Sequence, residues 1–431
     1  MILKAAPKEP LSFLLDILNN VLYNDYKTNK ESFMKYIDFQ GKKISMLGYG
    51  AMRLPTLGTD ERIDIEASER LFDRAIEAGI NYFDTAYPYH GGNSEIVTGQ
   101  LLKKYPRDSY YIATKYPGHQ VLDSYDPAVI FEHQLQKCGV DYFDFYLLHN
   151  VSESSISVFL DERWGIIDYL VEQKRLGRIK HLGFSTHGLP ENLKEFLDAA
   201  GEHMEFCQIQ LNYLDWTLQR AKEKCEMLTE RNIPIWVMEP VRGGKLVDKL
   251  PESAKAHLKS LRPDESVASW CFRWLMGIEN MGVILSGMTT MEQLEDNIRT
   301  FEEEKPLTDT EIRVLYAIAE SLKNSIPCTA CRYCTEGCPM GLNIPMLIEV
   351  YNDLRYAPGV NSASKIEFMP EDKRPTACIG CGACTHACPQ KIDIPKVLSD
   401  FAELLTTIPS WRAICKERAE AAAKLSGNSE K

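Results

Sequence analysis

The chain has 431 residues, 44% of them apolar and 26% charged, with a formal net charge of −12 at pH 7. That is long enough for a large core and for more than one domain. The acidic balance, with no long Lys/Arg cluster, argues against a nucleic-acid partner, and no apolar stretch reaches the roughly 20 residues needed to cross a bilayer.

Residues 1–33 read as an N-terminal extension. Segment 11–22 is apolar but short, and Asp16, Asn19 and Asn20 interrupt it, so no signal peptide is expected. The extension reads either as an amphipathic helix docked on the main domain or on a second subunit, or as a prefix to a start at Met34. Segment 38–43, with Gly41 at its centre, reads as the turn of a small hairpin placed to plug the bottom of a barrel. From 43 to 288, short apolar runs alternate with longer amphipathic ones. Strand patterns fall at 44–50, 81–86, 110–116, 144–149, 181–186, 206–212, 233–240 and 282–286. Helical patterns fall at 65–78, 94–104, 128–138, 166–176, 191–199, 218–231, 267–276 and 291–301. Eight strand-then-helix units predict an α/β fold, a (β/α)8 TIM barrel over 34–302. A doubly wound sheet is the competitor, but it usually has fewer strands, and no G-x-G-x-x-G follows the first strand here.

Segment 303–326 reads as a helical linker, with its helix at 309–325. Two cysteine runs come next. Cys328, Cys331, Cys334 and Cys338 precede Pro339, and Cys378, Cys381, Cys384 and Cys388 precede Pro389. Both read C-x2-C-x2-C-x3-C-P, the spacing that holds four-iron, four-sulfur clusters in bacterial-type ferredoxins. The repeat has an offset of 50 and extends to Ile344-Pro345 and Ile394-Pro395, after the helix-start residues Asn343 and Asp393. Helices are expected over 346–356 and 396–406. The 39 residues between Cys338 and Cys378 favour a small, mainly helical dicluster domain at 327–410 over a compact two-hairpin ferredoxin, with a tail at 411–431. The bacterial pattern assigns the fourth cysteine of each run to the other cluster. One set is then Cys328, Cys331, Cys334 and Cys388, and the other Cys378, Cys381, Cys384 and Cys338. Zinc is a weaker competitor for this rhythm, and clusters that only brace a small domain remain an open reading. The other five cysteines, Cys138, Cys207, Cys225, Cys271 and Cys415, are scattered, which fits a reducing cytoplasm.

In a parallel barrel the chemistry sits where strands end. Asp84 ends the second barrel strand, Tyr89 follows it, Lys115 ends the third and His149 ends the fourth. Each alone has an ordinary reading as a cap, a packed ring, a solvated amine or a core histidine. Together they resemble the tetrad of the aldo-keto reductase family. The segment Asn81-Tyr82-Phe83-Asp84-Thr85-Ala86 with Tyr89 and Gly92-Asn93-Ser94-Glu95 resembles that family's signature after strand two. Ile112-Ala113-Thr114-Lys115 and Tyr146-Leu147-Leu148-His149 resemble its segments at strands three and four. Gly183-Phe184-Ser185 and Gln208-Ile209-Gln210 resemble its nicotinamide contacts.

The resemblance implies hydride transfer between NAD(P)H and a small carbonyl or alcohol, with Tyr89 as proton donor. A nearby lysine cation favours the phenolate, so Lys115 is expected to lower the Tyr89 pKa. Asp84 is expected to hold Lys115, and His149 to orient the carbonyl. By the same resemblance Ser185 and Gln208 hold the carboxamide, and Gln293 and Asn297 the adenosine half. Segment 286–290 lacks the cation that a 2′-phosphate wants, so NAD and NADP both stay open. Clusters move single electrons whereas the barrel chemistry moves two. Three readings therefore remain: a nicotinamide-dependent carbonyl reductase with clusters as electron link or brace, a reductase fed by a redox protein such as ferredoxin, and a redox sensor or partner-binding protein without turnover. A homo-oligomer also stays open. His181, His187 and His203 are taken as ordinary strand-end or loop residues.

Overall fold

The computed structural model describes residues 34–58, 62–153, 155–322, 326, 328, 332–388 and 390–427, with the side chains of 333, 336 and 421–427 left aside. The N-terminal extension, Cys331 and Pro389 lie outside the described residues.

The first elements are an antiparallel hairpin, β1 (Tyr36–Phe39) and β2 (Lys42–Ser45). Its turn puts both Gln40 (φ 53°) and Gly41 (φ 80°) in the left-handed region, the geometry that matches strand twist in a two-residue connection. Asp38 Oδ1 accepts from Gly41 N at 3.1 Å. The hairpin delivers Phe39 into the barrel floor, with ring centres 5.0 Å from His181 and 5.1 Å from Trp236. The floor is thus plugged as the sequence suggested.

Eight parallel strands then close the barrel: β3 (Leu47–Gly50), β4 (Tyr82–Asp84), β5 (Tyr111–Tyr116), β6 (Phe143–Leu148), β7 (Ile179–Thr186), β8 (Cys207–Gln210), β9 (Ile235–Met238) and β10 (Met281–Ser286). They pair in sequence order, and β10 returns to β3. Side chains alternate as the pleat requires. Phe145 and Leu147 of β6 join the interior cluster with Phe39, Phe206 and Trp236, while Tyr146 and Leu148 join the layer between barrel and helices. Gly183 is glycine for space, because a Cβ there would sit 2.5 Å from the Phe206 ring. Helix starts carry their expected caps. Asp64 accepts from Ala67 N ahead of Ile65–Glu77, and Thr290 with Gln293 forms a reciprocal capping box on Met291–Glu302.

Helix Asp309–Leu322 leads to the cysteine-bearing region. Helices Ile344–Tyr356 and Ile394–Thr406, each with proline in its first turn, build a second core from Leu347, Ile348, Leu354, Leu398 and Phe401. Both helices begin two residues before the expected starts, since proline at the first turn needs no donor. Val360–Glu367 and a last helix, Trp411–Gly427, complete the described residues.

This region packs on the barrel mouth. Arg242, in the loop after β9, bonds Asp215 at 3.2 Å and also bonds Asp353 of helix Ile344–Tyr356. Burial works against the charge on Arg242, but the two carboxylates outweigh it and hold its pKa above the ordinary arginine range. Among the described residues no helix is long and apolar enough to cross a membrane.

Candidate active site

Three strand ends, with the loop after one of them, bring four groups together at the mouth. Lys115, at the end of β5, is fully buried, and its Nζ donates to Asp84 Oδ1 at 2.5 Å and to the Thr85 carbonyl at 2.8 Å. The same Nζ lies 5.3 Å from the centre of the Tyr89 ring. His149 directly follows β6, and its ring stands edge-on to Tyr89 at 5.7 Å. Sequence neighbours hold these groups in place. His90, Gly91 and Gly92 all take positive φ, and His90 Nε2 accepts from Leu54 N at 3.2 Å, so the Tyr89 turn is fixed from both sides. Behind Lys115, buried Glu95 accepts from Thr114 Oγ1 (2.5 Å) and Gln134 Nε2 (2.6 Å), and Gln134 also reaches the Lys115 carbonyl at 3.1 Å.

Burial dominates the electrostatics. It pulls Lys115 below the usual lysine range and pushes Asp84 above the usual carboxylate range, each opposed by the other's charge. Burial, then the carboxylates of Asp84 and Glu239, push the Tyr89 phenol well above its ordinary value. The lowering expected from Lys115 does not appear: the lowering charge on the phenol is Arg53, it is outweighed, and the phenol keeps its proton through neutrality. Burial also drives His149 well below the usual histidine range, with His119 and Lys115 adding to the effect. His149 is a neutral imidazole.

Two contributors were not foreseen in the sequence. The His119 ring lies 4.1 Å from that of His149, and Trp411 stacks on His119 at 5.7 Å and 25°. His119 sits in the loop just past the β5 strand end, which is the one signal that would have flagged it. Trp411 gave no signal.

Ser185 and Gln208 stand side by side in register on β7 and β8. Ser185 Oγ accepts from Asn150 N at 2.9 Å. Gln208 Oε1 is buried without a hydrogen-bond partner among the described residues. An acceptor so placed fits a ligand amide. Asn297 is buried and donates to Ser286 Oγ at 2.9 Å, whereas Gln293 is exposed and accepts from Thr289 N at 2.8 Å. A cation does stand by segment 286–290 after all. Arg53 takes a bond from Thr289 Oγ1 on its carbonyl at 3.0 Å, and a Cβ on Gly287 would meet its side chain at 3.2 Å. Its guanidinium lies 3.5 Å from Glu239.

In the second region, Cys328, Cys334 and Cys388 line one pocket of about 310 Å³ including its open mouth, and Cys338, Cys378, Cys381 and Cys384 line another of about 320 Å³. Each pocket draws its cysteines from both runs, and thiolates in such sets suit iron–sulfur clusters. The other histidines stay apart. His181 packs in the barrel floor beside Glu205 at 3.3 Å, His187 bonds Gln210 at 3.0 Å near the mouth, and His203 lies 3.7 Å from Glu202.

In a parallel barrel, charged and aromatic groups gathered at the strand ends mark the place where an enzyme of this fold does its chemistry. Residues 46–320 match the model of the aldo/keto reductase family, and residues 327–392 match that of the 4Fe-4S dicluster domain. The chain belongs to the aldo/keto reductase family, and a region matching the 4Fe-4S dicluster domain follows its barrel in the sequence. It is 26% identical over 296 residues to an NADH-specific methylglyoxal reductase of Escherichia coli (strain K12), covering 58% of this chain and 88% of that one. An L-galactose dehydrogenase of Arabidopsis thaliana is 25% identical over 313 residues, covering 66% and 93%. Among solved structures, an aldo-keto reductase of Bacillus halodurans in its holo form superposes with a TM-score of 0.53 at 26% identity, over 66% of this chain and 96% of that one.

Proposed function

We propose that this chain interconverts small carbonyl compounds and alcohols at Tyr89, with a nicotinamide coenzyme and two four-iron clusters. The observation that carries this reading is the Lys115–Asp84 pair at 2.5 Å set beneath the Tyr89 ring, with His149 at its edge. A dihydronicotinamide, when bound, would supply the hydride for the carbonyl carbon. Tyr89 supplies the proton for the carbonyl oxygen, and its raised pKa keeps that proton available. Asp84 fixes the Lys115 ammonium, which stabilises the phenolate left behind. Neutral His149 can donate one hydrogen bond to the substrate oxygen without adding charge. In the oxidative direction Tyr89 takes the proton back.

Ser185 and Gln208 would hold the carboxamide, and Gln293 and Asn297 the adenosine end. Arg53, Arg74 and Arg299, the cations flanking that helix, already pair with Glu239, Glu295 and Asp296. A 2′-phosphate would compete for each of them, so NAD is the proposed coenzyme. Cluster ligation follows the crossed sets: Cys328, Cys331, Cys334 and Cys388 for one, and Cys338, Cys378, Cys381 and Cys384 for the other. The proposed divisions are 34–302, 303–326, 327–410 and 411–431, with Leu315, Ile318 and Ala319 of the second packing into the barrel core. Eight cluster thiolates suit a reducing cytoplasm.

The test is Tyr89→Phe. Carbonyl reduction should fall by at least about 100-fold while coenzyme affinity holds. Retained turnover would remove Tyr89 from its role. Bleaching of the cluster spectrum by NADH would show an electron link. Activity only with a reduced ferredoxin would favour the ferredoxin-fed alternative.

A further inference from the structure

Resting on the Tyr89–His149 reading, we propose that the last helix, Trp411–Gly427, forms a wall of the active-site mouth, with Trp411 a positioning and specificity-determining residue that acts on His149 through His119. Neither family match reaches this helix, since the first ends at residue 320 and the second at 392.

Four rings run in series from the proton donor to the wall. Tyr89 meets His149 at 5.7 Å, His149 meets His119 at 4.1 Å, and His119 meets Trp411 at 5.7 Å. A hydrogen bond fixes the last step, because Trp411 Nε1 donates to the His119 carbonyl at 3.1 Å. Neither His119 Nδ1 nor His149 Nδ1 has a hydrogen-bond partner among the described residues. His119 Nε2 meets Gln120 Nε2 at 2.6 Å, so that contact and ring packing together orient the stack against His149, with Trp411 its outer support. The helix also runs alongside Tyr89–Gly92. One turn further on, Cys415 Sγ is buried 3.6 Å from Gln120 Oε1.

The wall is anchored from the cysteine-bearing region. The Glu367 carboxylate, at the end of Val360–Glu367, accepts from Ser410 Oγ (2.7 Å), Trp411 N (2.7 Å) and Arg412 N (3.2 Å). A carboxylate at a helix start satisfies orphan amide donors and favours the helix dipole. The Arg412 guanidinium lies over Phe368 at 4.8 Å. The second region thus builds part of the substrate pocket. The indole is backed by two imidazoles held neutral, and the Arg418 guanidinium lies over it at 5.5 Å, so the wall is a flat aromatic surface with one cation beside it. It narrows the mouth toward short-chain carbonyl compounds and against bulky aryl ones.

The experiment measures kcat and KM of full-length, iron-loaded protein with a three-carbon aldehyde and an aryl aldehyde. Trp411→Ala should raise KM for the short aldehyde and shift the ratio of the two kcat/KM values about tenfold toward the aryl substrate, the scale of one pocket contact. Trp411→Phe should restore most of the original ratio. Coenzyme affinity and iron content serve as folding controls. If Trp411→Ala loses iron, Trp411→Leu and Glu367→Gln replace it, with the same shift expected. An unchanged ratio in iron-replete variants overturns the proposal. Should Tyr89→Phe remain active, the underlying reading fails instead, so the two failures are distinguishable.

Discussion

Arg242 and Asp353 lie 111 residues apart and bond to each other in a buried pocket where the barrel meets the cysteine-bearing region. Asp215 binds the same guanidinium, and Gln219 donates to Asp353 at 3.2 Å. The junction is therefore ionic and nearly dry. Removing one partner from such a pair strands the others.

Arg242→Met should cost about 3–5 kcal/mol, because two buried carboxylates lose their counter-charge. Denaturant unfolding with and without the substitution measures this. Limited proteolysis should also show the linker near residue 305 becoming cleavable. A variant as stable as the parent would mean that the junction is held by its apolar contacts instead.

The pH profile of reduction follows from the site. Tyr89 is pushed above its ordinary value of about 10, so kcat/KM should be flat from about pH 7 to 9. On the acid side, burial pulls His119 down to about 3 and His187 to about 4. No inflection is expected near the ordinary histidine value of about 6.5. Such an inflection, if found, would mean that His149 titrates in the free enzyme.

Stability should carry the opposite signature. The unfolded chain protonates these histidines below about pH 6.5 while the folded one resists until about 3–4, so the unfolded state binds more protons in that window. Unfolding free energy should fall as pH drops from about 6.5 to 4. His119→Gln should reduce the slope by about one proton. Urea titrations at several pH values would show this, and an unchanged slope would count against a neutral His119.

The proposed crossed ligation can be tested one run at a time. Cys388→Ser should cost the cluster of the first run and spare that of Cys378, Cys381 and Cys384. Cys338→Ser should do the reverse. Each loses about four irons, half the complement. Iron analysis with low-temperature spectroscopy distinguishes the two survivors.

Gln208→Leu should weaken coenzyme binding by about 1–3 kcal/mol, since it removes a buried acceptor that nothing else in the described protein engages. Fluorescence titration with NADH reads the loss directly. Equal affinity would move the carboxamide elsewhere.

The barrel was legible because its signals are local. Strand ends at Asp84, Lys115 and His149 follow from short apolar runs, and the closure of β10 onto β3 follows from counting eight such runs. The cysteine pockets followed from spacing alone. What escaped was contact between distant segments. Trp411 reaches the His119 loop across 292 residues, and Arg53 comes beside Gly287 only because β3 and β10 are neighbours. The rise in the Tyr89 pKa also escaped. A sequence shows that a lysine is near, but not how much water the fold removes.

The Phe39 plug has a further consequence. With the floor filled, exchange with solvent is one-sided, and substrate, product and coenzyme must all pass the same rim. Part of that rim is already occupied by the cysteine-bearing region and its final helix. Any protein that docks over the remaining gap would throttle the barrel without touching a single reacting group.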